Sequence, residues 1–141
     1  METLSSAQFN ARVVEEFRAT GGHVTGPLAS TPLMLVHHIG TRSGIERVTP
    51  LAYLRRPDGS FVITATNGGS PKHPAWYHNL KGNPTVTVEV GTETFRAVAA
   101  ELSAADRAAL WPTIRRHAPA ADEYQNMTSR VIPVVILTRE D

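Results

Sequence analysis

From Pro32 onward the chain is cut into short runs of β-branched and apolar residues with tight-turn signals between them. The runs are Leu33 to Ile39, Val48 to Leu54, Phe61 to Thr66, Thr85 to Val90, Thr94 to Leu102 and Val131 to Thr138. Each has the length and composition of a strand. Pro57-Asp58-Gly59 and Gly91-Thr92 suit hairpin connections. Strands joined so closely run antiparallel, so the centre of the chain is expected to form a meander that closes into a barrel. A parallel nucleotide-binding sheet does not fit this pattern.

Helices are expected at the flanks. Phe9, Val13, Val14 and Phe17 recur at helical spacing after Ser5 and Ser6, and Gly21-Gly22 ends the pattern, which predicts an amphipathic helix over residues 6–20. Its apolar stripe suits packing on the domain's own sheet, with a membrane surface or another subunit as the alternatives. Ser103-Ala104-Ala105-Asp106 resembles a capping box that opens a helix through His117, with Pro112 expected to kink or break it. A short helical turn is expected from Asp122 to Thr128. The whole reads as one domain over residues 1–141, mainly β with flanking helices.

Several functions are excluded by what is missing. A net charge of +1 does not advertise nucleic acid, and without cysteine there is no disulfide, thiolate nucleophile or Cys-based metal site. The reducing cytoplasm is the expected location, with neither a signal peptide nor a membrane span in view; the longest apolar run, Val131 to Leu137, is interrupted by Pro133. No G-x-G-x-x-G, P-loop or G-x-S-x-G motif occurs. His37 and His38 are adjacent on a strand, where side chains alternate faces, and His73 and His78 are five apart, so neither pair suits a shared metal ion. Hard chemistry would then fall to an organic cofactor.

Two segments suit such a molecule. In Gly40-Thr41-Arg42-Ser43-Gly44-Ile45-Glu46-Arg47, two arginines and a hydroxyl pair share a flexible loop between strands, and guanidinium forks match phosphate and carboxylate oxygens. The alternative is a solvated hairpin with Arg47 paired to Glu46 or another acid. Asn67-Gly68-Gly69-Ser70-Pro71-Lys72-His73-Pro74-Ala75-Trp76-Tyr77 follows a strand and opens a helix. Free amides at that helix start, beside Lys72, would seat an anion, and Gly68 and Gly69 would let a flat ring lie on the backbone. The alternative is a tight turn whose Trp76 and Leu80 are simply core.

In order and spacing these segments resemble the deazaflavin-dependent nitroreductase family, also called the F420-dependent quinone reductase family. The likeness runs from about Pro32 to Leu137: the Gly40 to Gly44 loop with Arg47 and Thr49-Pro50-Leu51, then Asn67-Gly68-Gly69, Lys72 to Leu80, Asn83-Pro84, Trp111-Pro112, Tyr124 and Arg130-Val131-Ile132-Pro133-Val134. The resemblance implies an antiparallel split β-barrel, like that of FMN-binding reductases, with coenzyme F420 in a cleft. It implies an F420-dependent oxidoreductase that passes a hydride to a quinone, enone or nitro compound, acting as monomer or homodimer. Carried over by position, the cofactor contacts would be Thr41, Arg42, Ser43, Arg47, Val48, Thr49, Thr64, Ala65, Thr66, Asn67, Ala75, Trp76, Tyr77, His78 and Asn79, joined by Gly68, Gly69 and Lys72 of the second segment. Relatives often have lysine at the Asn67 position and two basic residues at Thr41-Arg42, so fewer charges here would face an anionic tail.

Nitro-reducing relatives also carry tyrosines where this chain has Ala118 and Ala121, so catalytic proton donation would fall to Tyr124 or to water. Tyr124 read alone is equally a half-buried packing residue. Ala121 and Tyr124 are the expected acceptor contacts. The missing tyrosines keep open a non-enzymatic deazaflavin carrier, and the barrel keeps open an FMN-dependent reductase.

Overall fold

The computed structural model describes residues 6–140, so Ser5 lies outside the described residues. Helix α1 spans Ser6–Thr20, the expected residues, and Val13 and Phe17 are buried against Val24, Leu33 and Leu35. The apolar stripe therefore packs on the domain's own sheet. Its end is closed by Gly22, whose N–H donates to Phe17 O at 2.8 Å. Gly22 has φ +104°, and a Cβ there would stand 3.0 Å from Gly91 Cα, so both backbone and space require glycine.

Among the described residues seven strands follow: β1 Leu33–Ile39, β2 Glu46–Ala52, β3 Leu54–Arg55, β4 Phe61–Thr64, β5 Thr85–Val90, β6 Glu93–Glu101 and β7 Val134–Arg139. Every pairing is antiparallel, as expected. The order is β2-β1-β5-β6-β7-β4-β3, which is not a meander. Turn signals identify hairpins, but they carry no information about β7, which inserts between β6 and β4. The expected strand from Val48 to Leu54 is two strands, parted by Tyr53, and they lie at opposite edges of the sheet. One residue can join opposite edges only if the sheet curls until the edges meet at that corner. The result is a half-barrel, closed at Tyr53 and split elsewhere.

The inner face carries Met34, Val36, Phe61, Ile63, Val88 and Leu137 and is covered by Trp76, Tyr77 and Leu80 of α2, Ala75–Gly82. On the outer face Val62, Val134 and Ile136 pack under Trp111 and Ile114 of α3, Ala104–His117, and Ala121 of α4, Pro119–Gln125. Ser103 caps α3 by accepting from Asp106 N at 3.2 Å, as the sequence predicts. Pro112 does not break α3, which continues to His117. The last helical turn lies earlier than expected, because Pro119 opens α4 where its missing N–H costs nothing. β7 begins only after Pro133, whose carbonyl accepts from Ala65 N at 3.0 Å.

Phe17 is 1% exposed, so Phe17→Ala should cost about 3–5 kcal/mol in urea unfolding. A loss below about 1 kcal/mol would mean that the α1 stripe serves some other surface.

Candidate functional site

A cavity of about 450 Å³ opens at the corner where the barrel closes. Ser30 to Pro32 and Ala52 to Leu54 form one wall, Val62, Thr64 and Thr66 the floor, and Ile114, His117, Ala118 to Ala121 and Tyr124 the roof. Two separate parts of the sequence reading meet here: Thr64 and Thr66 from the cofactor side, and Ala121 and Tyr124 from the acceptor side. Most of the lining is apolar, and its titratable groups are Tyr53, His117 and Tyr124. The size falls within the range of small-molecule pockets, about 300–1,000 Å³.

The floor beyond Thr66 turns sharply through Asn67, Gly68 and Gly69, with φ of 44°, 62° and 80°. Arg130 holds this turn. Its guanidinium donates to Ser70 O at 2.8 Å, Ala65 O at 3.1 Å, Thr66 O at 2.8 Å and His73 Nδ1 at 3.0 Å. Burial and then the positive charge of Arg130 hold the His73 imidazole below the usual histidine range. Only the planar, multiply donating guanidinium can serve acceptors in so many directions. Sequence reasoning gave Arg130 no role, because nothing in its spacing points back sixty residues to the glycine turn.

A Cβ on Gly69 would stand 3.0 Å from Met127 Cβ and 3.3 Å from Tyr124 O, so its smallness admits the chain after α4. Around Gly68 the corresponding space is open. Ala65, Trp76 and Tyr77 point their side chains into the inner core, and the Tyr77 hydroxyl donates to Glu101. Trp76 and Leu80 are both buried in this core. Val48 packs with the α1 cluster, on the face opposite Arg47 and Thr49, because side chains alternate along β2. Ala75 and His78 remain exposed, and Pro74 leaves the α2 start without a side-chain cap.

The arginine loop is anchored from below by a buried histidine. Thr41 N–H donates to Asn79 Oδ1 at 3.2 Å, which turns the Asn79 amide nitrogen toward His38 Nδ1 at 2.9 Å. Nδ1 therefore accepts, and the Nε2–H of a neutral ring donates to Thr49 Oγ1 at 2.8 Å. Thr41, Thr49 and Asn79 are brought together around His38, and their polar atoms serve this network. Burial first, and then the charge of Arg47, hold His38 below its ordinary pKa. His37 points the other way, to Glu46 at 3.0 Å and Glu89 at 2.7 Å, and Glu89 also receives Arg18 at 2.8 Å.

That leaves the two arginines available. Glu46 is taken by His37, and among the described residues Arg42 and Arg47 have no carboxylate within ion-pair distance. β2 is an edge strand, unpaired on one side, with Arg47 near one end and Ala52 of the cavity at the other. Five residues of strand put these about 16 Å apart at about 3.3 Å per residue. Lys72 and Ser43 are exposed, and Asn67 donates to Lys72 O at 3.0 Å. No group of three metal-ligating side chains occurs among the described residues, and no helix there is long and apolar enough to cross a membrane.

Comparison with known proteins gives a consistent picture. A family profile described as F420H(2)-dependent quinone reductase matches residues 10–139. An F420H(2)-dependent quinone reductase of Mycobacterium tuberculosis is 39% identical over 127 residues, covering 87% of this chain and 85% of that protein. A solved F420-H2 dependent reductase superposes with a TM-score of 0.67 at 38% identity, covering 75% of this chain and 93% of its own. A putative pyridoxamine 5′-phosphate oxidase from Listeria innocua, 15% identical with a TM-score of 0.55 over 81% of this chain and 88% of its own, shares the fold. The half-barrel is thus a split barrel of that type.

Two predictions follow from these contacts. The unfolded chain takes up protons near the usual histidine value, about 6.5, that folded His38 and His73 resist. Stability is therefore full above that pH and is lost as pH falls toward the depressed folded values. Urea unfolding at about pH 7.5 and about pH 5.5 should show this loss, and His38→Gln should reduce it to the share of His73. An undiminished loss would place the titration elsewhere. Gly68→Ala should cost about 1 kcal/mol from left-handed backbone alone, whereas Gly69→Ala should cost more because Met127 must also move. Equal losses would show that Met127 yields freely.

Proposed function

The chain belongs to the F420H(2)-dependent quinone reductase family and is an F420-dependent oxidoreductase, and from that premise we propose that its acceptor is a quinone taken up in the corner cavity. The observation that carries the reading is the free edge of β2, with an apolar cavity at one end and two unpaired arginines at the other. F420 has the matching shape, a flat ring with a long tail of phosphate and glutamate.

In this reading the ring lies at the cavity between Thr64, Thr66 and Ala52, above Asn67 and Gly68. The tail follows the β2 edge toward Arg42, Ser43 and Arg47, with Lys72 and the uncapped start of α2 at Ala75 as further attractions for negative charge. Ala65, Trp76 and Tyr77 act from behind, as packing that fixes the floor. Bound there, the reduced deazaflavin supplies a hydride carrying two electrons. The protein's work is to orient donor and acceptor, keep the cavity dry and provide a proton.

Ala118 and Ala121 widen the roof on the acceptor side, and Tyr124 offers a hydroxyl that can orient a carbonyl oxygen. A broad apolar roof favours flat, apolar acceptors, which is why a quinone suits it better than a small polar enone or nitro compound.

Replacing both Arg42 and Arg47 by alanine should weaken F420 binding at least tenfold, about 1.4 kcal/mol, in a fluorescence titration. The remaining binding should depend less on salt. Unchanged affinity would make the arginines an ordinary solvated loop and move the tail elsewhere.

A further inference from the structure

Reducing a quinone to a hydroquinone takes a hydride and a proton, and the cavity's own groups constrain where that proton comes from. Most of its lining is aliphatic or hydroxyl-bearing, and its titratable groups are two phenols, Tyr53 and Tyr124, and one imidazole, His117. Tyr53 stacks edge-on against Phe61 at 5.2 Å as part of the corner packing. A phenol hydroxyl orients an oxygen well by donating a hydrogen bond to it. Imidazole is the side chain that gives up and regains a proton between about pH 5 and 8.

His117 also has the right access. It is the last residue of α3, exposed to solvent, yet it lines the cavity roof immediately before Ala118. One side of the ring can meet an acceptor while water recharges it from the other. The other charged and titratable groups on neighbouring elements are Asp106, Arg107, Arg115 and Arg116 on α3, Asp122, Glu123 and Tyr124 on α4, and Tyr53 at the corner. Of these, Asp122 is held by Trp111 Nε1 at 2.9 Å and Arg115 at 3.3 Å. No carboxylate lines the cavity to compete as the acid.

We propose that His117 is the catalytic acid of the acceptor side, protonating the quinone oxygen while Tyr124 orients it. This rests on the quinone reading above. The acceptor gains two electrons with the hydride from the reduced cofactor, and the oxygen that becomes an oxyanion takes a proton from the His117 imidazolium. The ring is then neutral and recovers a proton from water. Across the turnover the cofactor loses a hydride and a proton, the latter to solvent, and the quinone gains both, so the reaction balances. Only the acceptor half depends on His117.

The test compares wild type, His117→Gln and Tyr124→Phe with saturating reduced F420 and menadione as the quinone, over about pH 5 to 8. An imidazolium acid makes wild-type kcat fall as pH rises through this range. His117→Gln should lower kcat at the acidic end by at least about tenfold, below the usual span for a positioned acid, and flatten the profile. The F420 dissociation constant should stay the same, and Tyr124→Phe should keep the pH limb whatever its rate. A second readout needs no turnover: in imidazole 15N spectra of cofactor-free protein, the signals absent from His117→Gln should shift when menadione is added. A wild-type rate and profile in His117→Gln, or unmoved His117 signals, overturn the inference. Wild-type protein that binds F420 but reduces no quinone overturns the functional reading instead, and the spectra still decide whether His117 meets the acceptor.

Discussion

A single residue, Tyr53, stands between the two edges of the sheet, and most of the architecture depends on that joint. β2 and β3 are consecutive in the chain yet lie at opposite ends of the strand order, so the sheet cannot remain open and flat. Tyr53 N–H donates to Pro32 O at 3.2 Å, which pins the joint to the start of β1. Closure at one corner leaves β2 with an unpaired edge along the rest of its length. An exposed edge is normally a liability, because its unmet backbone groups invite another strand. In this fold the same edge runs from the arginine loop to the cavity, where a ligand with donors and acceptors of its own can cover it.

The curled sheet has two faces, and each candidate residue takes its role from the face it occupies. β1 is buried on both: Met34 and Val36 enter the barrel, while Leu33 and Leu35 meet α1. The alternation continues into His37 and His38. His37 joins an outer network with Glu46, Glu89 and Arg18, in which Arg18 and Glu46 are exposed, so their pairs contribute modestly to stability. Its larger effect is on charge, since it occupies the one carboxylate adjacent to Arg47. His38 lies inside, uncharged, with both ring nitrogens bonded, and it carries the arginine loop on Asn79 and Thr49. Two neighbouring histidines thus free the arginines from one side and position their loop from the other.

Local features of the sequence were legible wherever a local rule governs them. The periodicity of Phe9, Val13 and Phe17 gave α1 its bounds, alternation separated His37 from His38, and Ser103 with Asp106 marked the start of α3. Long-range choices were not. Hairpin signals say which strands pair next to a turn, but the insertion of β7 is decided by the match of Val135 and Leu137 to the inner core and of Val134 and Ile136 to α3 and α4. Resemblance transfers positions and not faces, so it could not show that the Val48 side chain packs with the α1 cluster. At Gly69 the sequence signals that something comes close, and the fold shows that Met127 is one such neighbour. His117 could have been found, since it directly precedes Ala118 in the segment already assigned to the acceptor.

The departure at Asn67 has a structural reason that bears on the cofactor's tail. Asn67 sits at φ +44° in the described backbone, and asparagine tolerates this left-handed region better than a long side chain does. Its amide bonds to Lys72 O, closing the loop that Arg130 clamps from the other side. Asn67 thus adds a bond to the turn rather than a charge. Of the exposed cations on this side, Arg42 and Arg47 lie in the arginine loop and Lys72 beside the turn. An anionic tail would be held at its far end by Arg42 and Arg47, and the ring by shape and backbone contact, so salt should weaken the hold on the tail far more than the seating of the ring.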